Sequence, residues 1–431
     1  MHGTGAADLL TAAAAALVVI AIVGALYTHR LGLSHLLVFM VVGMLAGVDG
    51  PLGLSFDNYA LAVHVGNLAL ALILFDGGLR TRWRQVSDGL LPAGLLATAG
   101  VAATACLVAT LAHLVLDVPW AQGLLLGAAV SSTDAAAVFA QFSASQLKLS
   151  PRLTATIELE SGMNDPVAMV LTLGLIAWMG PQGTADGQAA SGLAVLLPLL
   201  AQQLGLGLGL LAGAAGGWLL AAWLRRLPVT DDHDGLAALL MAAVGLLLFA
   251  ATNRAGGSGF LAVYLAGLIV RHRAERLTLM SLPGLNGYTW LAQAVMFLLL
   301  GLLVTPHEVG HLAIPGLAVA AGLMLLARPA AVVACLAPLR FGWREQCFVA
   351  WSGLRGGVPI VLAAYPVMAG VPGAWRLFDV AFLVVVLSLL IQGPTLAPLA
   401  RAQARQALAF AVLPGSDCSP PAGQAQQPHF S

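Results

Sequence analysis

Long apolar runs, each close to the length of a membrane crossing, alternate along this chain with short polar segments. A spanning helix needs about 20 mostly apolar residues. That ruler places thirteen candidate helices at roughly 8–28, 32–49, 58–79, 89–116, 119–141, 151–179, 191–224, 235–253, 257–272, 284–304, 312–339, 345–370 and 377–400. The second and ninth are short, the seventh is long enough to tilt, and the Ala-rich first run is compositionally the weakest. The prediction is an all-α polytopic membrane protein with thirteen transmembrane helices.

The basic residues test this count, because cytoplasmic loops collect Lys and Arg. Fifteen of the nineteen fall on one side, among them Arg30, Arg80, Arg82, Arg84, Lys148 and Arg152, and only Arg254 and Arg376 on the other. The remaining two, Arg328 and Arg355, lie inside spans. The N-terminus is therefore expected outside and the C-terminus in the cytoplasm. Thirteen divides as six, one and six, with spans 5 and 12 running in opposite directions, as inverted repeats require. The odd helix, at about 191–226, carries Gly205, Gly209, Gly213 and Gly217 at spacing four. Such a row lets helices approach closely and is read as packing within the monomer ahead of a dimer contact.

Composition sharpens the picture. Of 431 residues 59% are hydrophobic and 9% charged, against about 45–50% and roughly 25% in soluble domains. The mean hydropathy is +0.91. A soluble enzyme is excluded, and a net charge of zero gives no reason to expect a nucleic-acid partner. Cys106, Cys335, Cys347 and Cys418 form no CxxC pair, so neither a disulfide framework nor a Cys-ligated zinc is expected, and no cofactor is called for. The start lacks the basic segment of a signal peptide and reads as a retained span. Residues 413–431 read as a disordered cytoplasmic tail.

Ionisable side chains inside spans are costly and mark functional sites by default. Here they cluster: Asp76 in LILFDGGLR, Asp134 in SSTDAAAVFA, Glu158, Glu160 and Asp165 in IELESGMNDPVAMV, Arg328 in LLARPAAV and Arg355 in WSGLRGGVPIVLA. In span 6, Ser161 and Asp165 share one helical stripe and Glu160 and Asn164 the adjoining one. Asp165 lies fourteen residues beyond Pro151, about 21 Å along a helix and so near the bilayer middle. Pro166 lacks an N–H and frees the carbonyl of Gly162. A carboxylate, a hydroxyl and a free carbonyl suit a monovalent cation, which prefers oxygen ligands, and they suit a proton. Gly356, Gly357 and Pro359 break span 12, and broken helices in transporters gather at the substrate site. Arg355 stays charged and needs a buried acid, for which Glu160 is the best candidate. Five acids against two arginines leave acids over, each holding a proton unless a cation replaces it.

These residues resemble the monovalent cation/proton antiporter-1 family, the NhaP-type sodium/hydrogen exchangers. The runs LFDGGL, the Thr133-Asp134 pair, ESGMNDP and LRGGVPIVLA carry the resemblance, which covers about 8–405. LRGGVPIVLAAYPVMAG and FGWREQ look closest to the bacterial potassium/proton antiporter branch. The resemblance implies a membrane antiporter domain over 1–405, built as a homodimer in the cell (inner) membrane. Its scaffold and dimer bundle would be about 8–79 and 235–304, its moving core about 89–179 and 312–400, and its linker helix about 191–226. Two broken helices would cross near the midplane. Asp165 would bind K+ or Na+ in competition with a proton, with Ser161, the Thr133 carbonyl and Asp76 as further ligands and Asp134 holding the crossing. Asn164, Glu160, Arg355 and Arg328 would form the supporting network. An Asn-Asp pair, in place of two aspartates, implies electroneutral exchange.

Two rivals belong to other classes. His307-Glu308-Val309-Gly310-His311 satisfies H-E-x-x-H, the zinc-protease signature. Its bracketing prolines and Gly310 argue against the helix that would bring both imidazoles to one metal, and a polar external loop is expected instead. A cation channel would need a repeated filter of carbonyls or charges, which this chain lacks. His35 and His64 read as packed core residues.

Overall fold

The structure, a computed structural model, describes residues 2–28, 34–135, 137–139, 149–179, 192–226 and 234–411. The segment read as a tail, 413–431, lies outside the described residues, as do Arg30 and Lys148. Regular structure among the described residues is helical throughout. In chain order the helices are α1 (His2–Thr28), α2 (His35–Ala46), α3 (Tyr59–Arg80), α4 (Trp83–Leu95), α5 (Val101–Leu116), α6 (Trp120–Val130), α7 (Pro151–Met179), α8 (Gly192–Leu224) and α9 (Asp234–Arg254). There follow α10 (Gly259–Arg273), α11 (Glu275–Leu302), α12 (Pro306–His311), α13 (Ala313–Gly322), α14 (Arg328–Leu336), α15 (Trp343–Trp351), α16 (Val358–Met368), α17 (Ala374–Leu387) and α18 (Gly393–Ala411). Eight helices among the described residues are long and apolar enough to cross a membrane. This is a polytopic helical membrane protein.

Burial is arranged for lipid. Ile314 is 84% exposed and Leu211 69%, while Asn164 is fully buried and Arg355 and Glu160 are 2% exposed. A soluble fold reverses that preference, since Glu and Arg are almost never fully buried unless paired.

Three predicted spans are each two helical pieces joined through a π turn: Leu96–Gly100 between α4 and α5, Leu323–Ala327 between α13 and α14, and Ser388–Gln392 between α17 and α18. A π turn carries an extra residue and is common at functional sites. Two other spans are broken outright. Residues 131–134 leave the helix after α6, and helix resumes at 135 and 137–139. Residues 352–357 separate α15 from α16 in the same way. The breaks meet: the Asp134 N–H donates to the Leu354 carbonyl at 2.8 Å.

Close helix approach rests on glycine. A Cβ on Gly209 would lie 2.6 Å from the Ser258 carbonyl oxygen and one on Gly213 2.6 Å from that of Ala262. The α8 row therefore seats within the monomer, against α10 and the turn before it. On its other side α10 packs on α3, where a Cβ on Gly267 would come within 2.6 Å of the Phe75 carbonyl oxygen.

Candidate functional site

Helix α7 carries Asp165 and Ser161 on one stripe, and hydrogen bonds staple that stripe to the break after α6. The Ser161 hydroxyl donates to the Thr133 carbonyl at 2.8 Å and accepts the Ala135 N–H at 3.0 Å. Asn164 Nδ2 donates to Thr133 Oγ1 at 2.6 Å. Ser132 donates its hydroxyl to Asp165 Oδ1. Asp134 accepts the Ala137 N–H on Oδ1 at 3.0 Å, which caps the resumed helix. A Cβ on Gly356 would collide with the Asp134 carboxylate, so Gly356 of span 12 is what lets the two breaks touch.

A cavity of about 640 Å³ opens beside this wall, lined by Asp76, Arg80, Asp134, Glu158, Ser161 and Asp165 among others. The predicted side-chain ligands Asp165, Ser161 and Asp76, together with Asp134, thus border one space. Thr133 lies behind it, its carbonyl held by Ser161. Asp76 is already engaged: Arg80 Nε sits 2.8 Å from its Oδ2, one turn along α3.

The supporting network differs from expectation in its pairing. Glu160 takes Arg328 as partner, with Nη1 2.6 Å from Oε1 and both side chains almost wholly buried. Arg355 instead donates from Nη1 to the Ser132 carbonyl at 2.7 Å, and its N–H donates to the Ser388 hydroxyl at 3.0 Å. Both outcomes have a physical source. Arg328 directly follows the Leu323–Ala327 π turn, whose extra residue rotates everything after it by about 100°. Ser132 lies just past the end of α6, where helix carbonyls are unsatisfied and the dipole is negative, so a guanidinium suits it.

Sequence reasoning passed over Ser132 although it precedes the Thr-Asp pair directly, and named Glu158 without giving it a part. It also missed Asp379, a buried acid on α17 only 6% exposed, since WRLFDVAF sits at a span end. The HEVGH run is the short helix α12 rather than the expected loop, with Pro306 at its first turn, where proline fits. The His307 ring faces the Asp49 carboxylate at 2.8 Å, and the backbone N–H of His307 donates to it as well. These bonds hold the Asp49 carboxyl below the usual carboxylate range. No group of three or more His, Cys, Asp and Glu is placed to hold a metal ion among the described residues. His35 packs its ring against Trp290, 4.2 Å between centroids.

With this geometry in place, the chain can be set beside known proteins. The family model described as sodium/hydrogen exchanger, transmembrane, matches residues 16–402. The K(+)/H(+) antiporter NhaP2 of Shewanella sp. (strain MR-4) is 46% identical over 375 residues, 87% of this chain and 63% of that protein. The K(+)/H(+) antiporter NhaP of Alkalimonas amylolytica is 42% identical over 385 residues, 89% of this chain and 65% of that protein. The chain thus spans a little under two thirds of these curated relatives' length. Among solved structures, the sodium proton antiporter MjNhaP1 from Methanocaldococcus jannaschii matches at a TM-score of 0.74 and 22% identity, over 91% of this chain and 98% of that one. At that identity the likeness speaks for the fold.

Proposed function

The chain belongs to the sodium/hydrogen exchanger family, and on that premise we propose that it is an antiporter exchanging a monovalent cation for a proton. The observation that carries this reading is the state of Asp165. It is a carboxylate 8% exposed at the wall of a polar cavity, and its hydrogen bond is to a hydroxyl. No arginine or histidine makes an ion pair with it among the described residues, whereas Glu160 and Asp76 each have an arginine. A buried carboxylate without a protein cation must take a proton or a mobile cation. K+ is the first cation to test, because the relatives at 46% and 42% identity are named K(+)/H(+) antiporters.

The same reading extends to architecture. Thirteen spans form two inverted six-helix repeats around linker helix α8, and the two breaks make crossed half-helices near the midplane. Spans 1–3 and 8–10 form a scaffold through which two copies pair, and spans 4–6 and 11–13 form the moving core. The basic loops put the C-terminus in the cytoplasm. Within the site, Ser161, the Thr133 carbonyl and Asp76 add ligands to Asp165. Asp134 holds the crossing. Asn164, Glu160, Arg328 and Arg355 keep the wall in place.

The test is proton flux in proteoliposomes of the purified chain on addition of K+, Na+ or Li+, with membrane potential clamped. Saturable proton movement reversing with the gradient is expected for at least one cation. Proton fluxes absent with all three would end the antiport reading, and non-saturating currents would replace it with a channel.

A further inference from the structure

The stripe of α7 that carries Asp165 and Ser161 continues for one more turn to Glu158, seven residues before Asp165 and so about 10 Å along the axis. Glu158 borders the same cavity, together with Tyr264 of α10 and Asp76 of α3. Two oxygens here, on Tyr264 and Glu158, have no part in the antiport site already described, and one more, on Asp76, would be shared with it. The Asp76 Oδ1 atom is buried and makes no hydrogen bond. The Tyr264 hydroxyl, on a side chain 5% exposed, lies beside Thr81 and Glu158 without a well-formed hydrogen bond. Its ring lies where a Cβ on Gly162 would be, 2.5 Å from the nearest ring atom, so the glycine of ESGMND is what admits it.

The third oxygen is on Glu158 itself. Thr81 Oγ1 lies 2.6 Å from Glu158 Oε1 and 2.9 Å from the Gly77 carbonyl oxygen. A threonine has one hydroxyl hydrogen, so only one of these can be its acceptor. When Glu158 carries a proton, it donates to Thr81 while Thr81 donates to Gly77. When Glu158 is ionised, Thr81 turns its hydrogen to the carboxylate, and Gly77 keeps the N–H of Thr81 as its donor at 3.1 Å. Both protonation states are therefore provided for. The ionised state places a carboxylate, a tyrosine hydroxyl and the open oxygen of Asp76 around one part of the cavity, a donor set that suits a hard monovalent cation. The nearby fixed cation, Arg80, is held on the other oxygen of Asp76 and against Asn286.

We propose that Glu158, Tyr264, Thr81 and the open oxygen of Asp76 form a second monovalent-cation site, on the Arg80 side of the cavity and two helical turns from Asp165. The proposal rests on the antiport reading of the cavity and deepens it. A cation arriving there displaces the proton of Glu158 to the aqueous cavity and gains an ionised carboxylate. It sheds part of its hydration before it reaches Asp165, so the crossing to the central site is made in two short steps instead of one long one.

The experiment separates the two sites by removing the central one. Purified Asp165→Asn in detergent is heated in K+ and in equimolar choline, with K+ alone as the probe. A K+-dependent rise in Tm is expected to persist in Asp165→Asn and to vanish in Asp165→Asn/Glu158→Gln. Asp165→Asn/Tyr264→Phe, which keeps the ring over Gly162, should need about three-fold more K+ for the same rise. This variant decides the matter if the Glu158 double variant does not fold. Absence of any K+ effect in Asp165→Asn overturns the proposal, as does an effect unchanged by Glu158→Gln or by Tyr264→Phe. Failure of the wild-type chain to exchange any of the three cations in vesicles would instead strike the antiport reading, and the two failures are read in different assays.

Discussion

Two carboxylates on neighbouring turns of α7 are treated in opposite ways. Glu160 is closed off by Arg328 at 2.6 Å, and Asp165 is met by a serine hydroxyl and opens on the cavity. In the proposed reading the first is structure and the second exchange chemistry, so their substitutions should differ in kind. Asp165→Asn keeps the side-chain volume and an acceptor for Ser132, and removes only the charge for which cation and proton compete. It should abolish proton flux while elution volume and Tm in detergent stay near wild type, and substantial residual exchange would move the site to Asp134 or Asp76. Glu160→Gln or Arg328→Leu alone strands a buried charge, at a cost of about 3–5 kcal/mol. The double variant should recover much of that loss, as thermal unfolding of the two single variants and the double would reveal; additive losses would mean that the pair is not coupled. At this scale the sequence was legible for residue type and opaque for pairing. Periodicity placed Ser161, Asn164 and Asp165 on their stripes. It assigned Glu160 to Arg355, because the rotation introduced by a π turn ahead of Arg328 leaves no mark in an apolar run.

Elements repeat that division. The break in span 12 was legible because Gly356, Gly357 and Pro359 cannot all sit comfortably in a helix. The break in span 5 was expected from the family resemblance alone, since Ser131-Ser132-Thr133-Asp134 holds neither glycine nor proline. What keeps those four residues out of a helix is tertiary: Ser161 takes the Thr133 carbonyl, Arg355 the Ser132 carbonyl, and Leu354 the Asp134 N–H. These three backbone groups, which a continuous helix would satisfy, are satisfied instead from α7 and the opposite break. The contact between the breaks depends on Gly356 lacking a side chain. Gly356→Ala would push the Asp134 carboxylate off the Ala137 N–H, losing a helix cap of about 1 kcal/mol and shifting the wall that bears Ser132. Exchange should fall at least ten-fold in the proton-flux assay while membrane expression persists. An unaffected rate would show that the two breaks move independently of that contact.

For the whole molecule the decisive quantity is the charge carried in one cycle. Among the buried acids, Asp76 is matched by Arg80 and Glu160 by Arg328, and these fixed pairs add no charge to the cargo. In the proposed exchange Asp165 is left to alternate between one proton and one cation, and both forms are neutral. A second exchange at Glu158 keeps the same balance, because the proton lost there equals the cation gained. On the proposed reading the resulting antiport is electroneutral. One elementary charge moved across 100 mV is worth about 2.3 kcal/mol, equal to roughly 50-fold in the gradient at which net flux stops. Proteoliposomes clamped at 0 and at −100 mV should therefore reach the same balancing ratio of K+ to proton gradients. A displacement of that ratio by tens of fold would require an uncompensated charge to cross with each turn. The extra proton carrier would then have to be sought among the other acids, half-buried Asp134 and buried Asp379 first.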